Sequence, residues 1–386
     1  MEFSERLNAL PPYLFKELDR VRDEVKARGV DVIDLGVGDP DRPTPGFVID
    51  ELSEAAADPA NHRYPVYSGM NSFQEVVAGW YARRHGVELA PHKEVCSLIG
   101  SKEGLANFPL AFVNPGDVVL CPEPAYPVYR SGTLFAGGEA VFMPLLEKNG
   151  FLPDLRAVPE EAARRAKIVW VNYPNNPTGA AASLEFYYEL LAFAEKWDLI
   201  ACSDAAYSEV TSRPKPHPSI LEVPGAKARA VEFHSLSKTF NMTGWRIGWA
   251  AGNETLIRGL GLVKSNVDSG VFQAVQLAAM KALESDHSAV AEMGRIYAER
   301  RKVLCGALDR AGIGYLHTDY TFYVWARIPK GLDSKAFCTR LLNDAGVVCT
   351  PGNGFGPSGE GFVRFALVQE VPRLKEAAER IEALKF

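Results

Sequence analysis

The stretch Ser235-Leu236-Ser237-Lys238-Thr239-Phe240-Asn241-Met242-Thr243-Gly244-Trp245-Arg246 sets one lysine among small hydroxyl residues, with an arginine eight positions on. Apolar runs lead in (Ala230 to Phe233) and out (Ile247 to Ala251). A lysine between two buried strands is costly unless it is paired or neutral. A neutral lysine is a nucleophile toward an aldehyde. Two serines and an arginine are good phosphate ligands. An aldehyde that carries a phosphate, pyridoxal 5'-phosphate, answers both features. The competing reading of this stretch alone is a solvated loop with one basic residue.

Other candidate residues fall at the ends of strand-like runs. Asp204 closes the apolar run that begins at Leu199, and an ionised carboxylate there needs a cation nearby. A pyridinium nitrogen would supply one and would be held protonated. Asn176, after the apolar strand Ile168 to Val171, and Tyr207 can hydrogen-bond a ring oxygen. Tyr126, between prolines in Pro122-Glu123-Pro124-Ala125-Tyr126-Pro127, can stack on a ring face. Gly100-Ser101-Lys102 turns a strand into a helix and offers N–H groups to an anion. Arg364 interrupts an apolar strand and is expected to face a cleft and an anion. Singly, each has an ordinary alternative: Asp204 as a helix cap, Asn176 as a turn former, Tyr126 as packing. Jointly, at separate strand ends, they point to one site, because ligands gather beyond the carboxyl ends of such strands.

The elements that must position these residues alternate. Strands are expected at Val32 to Gly36, Val95 to Ile99, Asp117 to Cys121, Ala140 to Met143, Ile168 to Val171, Leu199 to Ser203 and Ala230 to Phe233. Helices are expected at Phe47 to Ala57, Ser72 to His85, from Gly104 through Phe112, and Leu184 to Trp197. Residues 4 to 29 read as a charge-rich helical segment. Three helical stretches follow Lys238: Glu254 to Val263, Phe272 to Leu283, and Ser288 to Arg310, the last suited to a spine. After Gly314 single helices separate strands (Thr321 to Ile328, Val347 to Thr350, Phe362 to Leu367), the pattern of a smaller α+β domain. The division expected is an arm at 1–45 packing with the small domain, a large domain at 46–285 and the small domain at 286–386.

At 386 residues the chain exceeds what one core usually supports. It is 47% hydrophobic and 23% charged, with formal net charge -6 and no basic block, so a nucleic-acid partner is not expected. No eighteen-residue apolar run points to a membrane, and the acidic N-terminus is not read as a secretory signal. Six scattered cysteines without a Cys-x-x-Cys pair suit reduced thiols in a cytoplasmic protein, and the histidines show no metal-ligand spacing.

With these anchors in place, the chain resembles the fold-type I, pyridoxal-phosphate-dependent aminotransferases of class I/II over essentially its whole length. The motifs are Asn-Tyr-Pro-Asn-Asn-Pro-Thr-Gly at 172–179, Asp204-Ala-Ala-Tyr207, Ser235-Leu-Ser-Lys238 with Arg246, and Arg364. The resemblance implies an α/β fold, with a mostly parallel seven-stranded sheet between helices and a smaller α+β domain. It implies a Schiff base between pyridoxal 5'-phosphate and Lys238, Asp204 on the ring nitrogen, and Asn176 and Tyr207 on the ring oxygen. The phosphate would be held by Ser101, Lys102, Ser235, Ser237 and Arg246. Tyr64 would reach the phosphate of the neighbouring subunit of a homodimer. The small-molecule partners would be an amino acid and a 2-oxo acid.

Within that family the chain is similar to the bacterial LL-diaminopimelate aminotransferases, through Leu10-Pro-Pro-Tyr-Leu-Phe15, Gly38-Asp-Pro-Asp41, Ile99-Gly-Ser-Lys-Glu-Gly104, Lys264-Ser-Asn-Val-Asp-Ser-Gly270 and Pro351-Gly-Asn-Gly-Phe-Gly356. Implied substrate contacts are Tyr13, Gly38, Lys102, Tyr126, Asn176, Asn266 and Arg364. Animal-type aspartate aminotransferases place an arginine where this chain has Gly261, while Lys264 could still serve an acidic substrate. A departure at Thr318-Asp319-Tyr320-Thr321-Phe322, where an alanine would precede the threonine, leaves the wall near Phe322 open. Alternatives are an alanine, aspartate or aromatic aminotransferase, a carbon–sulfur lyase of the same fold, and a pyridoxal-phosphate-binding transcription regulator. The regulator would need a DNA-binding module for which no segment is spare. A nucleotide-binding protein is disfavoured, since neither G-x-G-x-x-G nor a Walker lysine motif occurs.

Overall fold

A computed structural model of the chain describes residues 1–10 and 14–384. Twelve strands form three sheets among these residues. They are β1 (Ile33–Asp34), β2 (Val95–Leu98), β3 (Val118–Glu123), β4 (Glu139–Pro144), β5 (Ala166–Asn172), β6 (Ile200–Asp204), β7 (Ala230–Ser235), β8 (Gly248–Gly252), β9 (Tyr323–Arg327), β10 (Val347–Val348), β11 (Thr350–Pro351) and β12 (Phe362–Ala366). The large sheet has the order β2-β8-β7-β6-β5-β3-β4, and only β8 runs against its neighbours. The mostly parallel seven-stranded sheet expected from the sequence is therefore present.

Its strands are apolar on both faces because helices cover both. Ile168, Trp170, Cys202, Val231 and Phe233 face one core; Val169, Val171, Ala201 and Ala230 face the other. The long helices are α1 (Leu14–Ala27), α2 (Gly46–Ala57), α3 (Asn71–His85), α4 (Ser101–Phe112), α5 (Val128–Phe135), α6 (Leu184–Trp197), then, after the single-turn α7 (Leu236–Thr239), α8 (Glu254–Val267), α9 (Gln273–Leu283), α10 (Ser288–Arg310), α11 (Ser334–Ala345) and α12 (Val371–Glu382). Phe108 of α4, Tyr129 of α5 and Leu260 of α8 fill the first core; Phe73 of α3, Leu190 of α6 and Ala278 of α9 fill the second. Gly86 ends α3 in the left-handed region (φ 67°), where a glycine costs least.

A third core gathers β9, β12, α10, α11 and α12 behind the antiparallel sheet β11-β12-β9. The N-terminal segment is strapped onto it. β1 pairs in parallel with β10, and Asp31 pairs with Arg373 and Arg380. Arg300, fully buried on α10, donates two 2.6 Å bonds to Asp41 and one of 2.9 Å to the Leu367 carbonyl. A buried arginine needs such partners, so Asp41 is fixed next to the turn that carries Gly38.

The structure corrects several expected boundaries. The strand placed at Val32 to Gly36 is only Ile33–Asp34, because β10, its partner, is itself two residues long. The run Val347 to Thr350 is divided at Cys349 between two sheets. The strand placed from Thr321 begins at Tyr323, since Thr321 sits at φ 59°, outside the extended region. Helix α5, which follows directly on the loop Pro122 to Pro127, was not anticipated.

Candidate active site

The site is built where β2, β5, β6 and β7 end. β7 finishes at Ser235, whose Oγ accepts the Ser237 N–H at 3.2 Å and caps α7. That single turn presents Lys238, which sequence reading alone left in a connecting stretch. The Lys238 amine donates to the Gly38 carbonyl at 2.9 Å and lies 5.6 Å from the centre of the Phe322 ring. Burial lowers its pKa to about 8; Arg364 and Arg246 act in the same direction and Asp39 against it. The neutral, nucleophilic amine is thus far more populated than for a solvated lysine.

Asp204 ends β6 and is buried. Its Oδ2 accepts from Tyr129 Oη at 2.6 Å, its Oδ1 from the Ala206 N–H at 3.2 Å, and its backbone carbonyl from Asn172 Nδ2 at 2.9 Å. Burial pushes the carboxyl up to about 6, although both donors pull it down. A carboxylate held by two neutral donors in a dry site is suited to receive a cation.

An anion cradle lies beside them. Gly100 (φ 71°) turns β2 into α4, exposing the first N–H groups of that helix. A Cβ on Gly100 would come within 2.1 Å of Arg246 Nη2, so only glycine lets the guanidinium approach. Arg246 is held by the carbonyls of Thr243 (2.7 Å) and Ile99 (3.4 Å). On the opposite wall, β12 carries Arg364, also buried, which donates to Asn176 Oδ1 and to the Gly36 carbonyl, both at 2.7 Å. Its guanidinium lies 4.2 Å from the Tyr323 ring centre and 4.8 Å from that of Phe355.

One cavity of about 550 Å³ is lined by Gly38, Ser101, Lys102, Tyr126, Asn176, Asp204, Tyr207, Ser235, Ser237, Lys238, Arg246 and Arg364. Twelve of the fifteen residues anticipated from the sequence thus converge. Tyr64 is 89% exposed and Asn266 is also exposed, bonded to the Leu262 carbonyl; neither lines this cavity. Tyr13 lies outside the described residues. Lys264, considered for an acidic substrate, is fully buried and committed to Glu103 (2.9 Å) and Asp268 (3.0 Å). The open question at residues 318–322 has an answer: Phe322 is fully buried and its ring stands against Lys238.

Sequence reading missed Tyr129, Tyr323, Asn172, Thr243 and Arg22. Tyr129 carried a signal, lying three residues after Tyr126 and just past the proline-bounded loop. Arg22, at the cavity rim, pairs with Asp34 at 3.1 Å, a contact with no local pattern.

A mostly parallel sheet with a depressed lysine, a buried carboxylate and an anion cradle at its carboxyl edge defines a pyridoxal-phosphate-dependent transferase of fold type I. The family model described as "Aminotransferase class I and II" matches residues 30–381, and the chain belongs to that family. It is an enzyme that transfers amino groups with pyridoxal 5'-phosphate. The chain is 56% identical over 385 residues to the LL-diaminopimelate aminotransferase of Aquifex aeolicus, covering 100% of both chains. It is 57% identical over 383 residues to that of Syntrophobacter fumaroxidans, covering 99% of each. Among solved structures, substrate-bound BacF from Bacillus subtilis superposes with a TM-score of 0.95 at 36% identity, over 100% of this chain and 98% of the other.

The donor set fits the cofactor: a nucleophilic amine for its aldehyde, Asp204 for its ring nitrogen, and the Gly100–Arg246 cradle for its phosphate. No helix among the described residues is long and apolar enough to cross a membrane, and no cluster there could hold a metal ion.

Proposed function

We propose that the enzyme transfers the amino group of LL-2,6-diaminopimelate to 2-oxoglutarate, a step of lysine biosynthesis that yields tetrahydrodipicolinate. The observation that carries this reading is the burial of Arg364 in one cavity with Lys238 and Asp204, beside a second cavity of about 540 Å³ that shares Lys102 and Tyr126 with it. Arg364 takes the near carboxylate of the donor as a bidentate pair. The distal end is zwitterionic and wants donors and acceptors together, which Lys102, Tyr126 and Asn353 offer across the two cavities. The full-length relatives support that donor, and the sealing of Lys264 removes one anchor for aspartate.

Bound pyridoxal 5'-phosphate supplies an electron sink for the negative charge that develops at the donor α-carbon. Asp204 would hold the proton on the ring nitrogen, which would keep that sink effective. Asn176 and Tyr207 would hydrogen-bond the ring oxygen, and Tyr126 would stack on the ring face. The Ser101 and Lys102 backbone, Ser235, Ser237 and Arg246 would hold the phosphate. Lys238 would hold the cofactor's aldehyde and, once freed, would serve as the general base and acid that moves the donor's α-proton to C4' of the cofactor.

The decisive comparison is kcat/KM for LL-diaminopimelate, meso-diaminopimelate, aspartate, alanine and phenylalanine, each with 2-oxoglutarate. We expect the LL isomer to lead by about tenfold or more, the discrimination that one or two matched polar contacts provide. If another donor leads, the substrate assignment falls while the aminotransferase class stands.

We also infer an active homodimer. Tyr64, Val66, Leu262, Val267 and Phe272 are exposed apolar residues, and Tyr64 of a second copy would complete the phosphate site, with Tyr13 and Asn266 bordering the substrate. Light scattering should read twice the chain mass, whereas a fully active monomer would refute this.

A further inference from the structure

Tyr323 takes part in none of the roles above, yet it touches three of the groups that carry them. It is buried on β9, beside the strand that holds Arg364. Its Oη lies 2.9 Å from Tyr207 Oη. Its ring lies 4.2 Å beneath the Arg364 guanidinium. A Cβ on Gly38 would meet its Oη at 2.1 Å, so the hydroxyl rests against the very turn whose carbonyl holds Lys238. We propose that Tyr323 is a positioning residue that orients the Tyr207 hydroxyl toward the cofactor's ring oxygen and seats Arg364 for the donor carboxylate.

The chemistry follows from hydrogen-bond direction. A tyrosine hydroxyl has one proton to give. If Tyr323 donates to Tyr207, the Tyr207 proton is directed to the ring oxygen and that bond is strengthened by the chain of donors. The ring face of Tyr323 meanwhile attracts the guanidinium from beneath its plane, without competing for the N–H groups that reach Asn176 and the Gly36 carbonyl in that plane. The hydroxyl and the ring therefore act on different partners and can be separated by mutation. Tyr207 is also faced by Asp204 at the end of β6 and by Arg364 on β12, and the Lys238 amine by Asp39, Arg364 and Arg246; these groups stay in place in both variants below.

This inference rests on the proposed role of Tyr207, so the test includes that residue. The purified, cofactor-loaded protein is titrated with pH and its visible absorbance followed, which reports protonation of the nitrogen joining Lys238 to the cofactor. Loss of a hydrogen bond to the ring oxygen raises that midpoint. Tyr207→Phe should raise it most. Tyr323→Phe should raise it by about half a pH unit while leaving the donor KM nearly unchanged. Tyr323→Leu should add a rise in donor KM of about tenfold, through loss of the ring beneath Arg364. If Tyr207→Phe shifts the midpoint and Tyr323→Phe does not, the positioning role is overturned and the reading of Tyr207 survives. If Tyr207→Phe shifts nothing, the reading of Tyr207 and the inference built on it both fall. If Tyr323→Leu leaves KM unchanged, Tyr323 does not seat Arg364.

Discussion

Lys238→Ala should lower turnover by about 10⁴-fold or more, at least the upper end of what a positioned acid–base group contributes. The loss should be in kcat, because this side chain is proposed both to hold the cofactor and to move the proton. The cofactor should nevertheless stay bound without a covalent link. The residues proposed to hold its phosphate, Ser101, Lys102, Ser235, Ser237 and Arg246, line the cavity from several elements, only Ser237 of them sharing α7 with Lys238. Borohydride reduction and peptide mapping of the unaltered protein is the matching measurement. A label on any lysine other than Lys238 would defeat the assignment, and so would near-normal turnover of the alanine variant.

Asp204→Ala has the second largest expected effect. Without the carboxylate the ring nitrogen loses its proton, and removal of the α-proton should slow by roughly a thousandfold while part of the cofactor is retained. Single-turnover kinetics at the normal rate would rule the role out. The same residue predicts a pH effect on the cofactor-free protein. Its folded-state pKa is raised from 3.8 to about 6. Its contribution to stability is therefore fully present below about pH 4 and lost as pH rises through 6, a change on the order of 3 kcal/mol. Asp204→Asn should flatten that decline in cofactor-free protein. Cofactor binding should flatten it as well, since a protonated ring nitrogen then faces the carboxylate. Equal slopes in all three samples would contradict the pairing.

The same residues show how far the sequence was legible. Lys238, Asp204, Asn176 and Arg364 stood out because a charged or amide side chain at the end of, or inside, an apolar strand has few inexpensive explanations. The parallel sheet was legible for a related reason: strands buried on both faces read as unbroken apolar runs, as in Ile168 to Val171. Tyr129 and Tyr323 were not legible. Tyrosine in an apolar run is usual packing, and only the fold shows that one hydroxyl meets Asp204 and the other Tyr207. Strands were expected at β1 and across β10 and β11, but their two-residue lengths and the change of sheet at Cys349 were hidden, since the pairing depends on partners more than 300 residues away in the case of β1 and β10. Lys264 misled in the opposite sense. Its neighbourhood looked like a substrate motif, but burial with Glu103 and Asp268 makes it part of the frame.

The most direct test of the account is a half-reaction. LL-diaminopimelate is added to the cofactor-loaded protein with no amino acceptor present, and the visible absorbance and the keto product are followed together. The account predicts that the yellow colour is discharged once, with one equivalent of keto product per active site, and that 2-oxoglutarate restores it. Colour that persists with LL-diaminopimelate while another amino acid discharges it would contradict the proposed donor. Release of pyruvate and thiol from cystathionine, without the discharge, would contradict transamination itself.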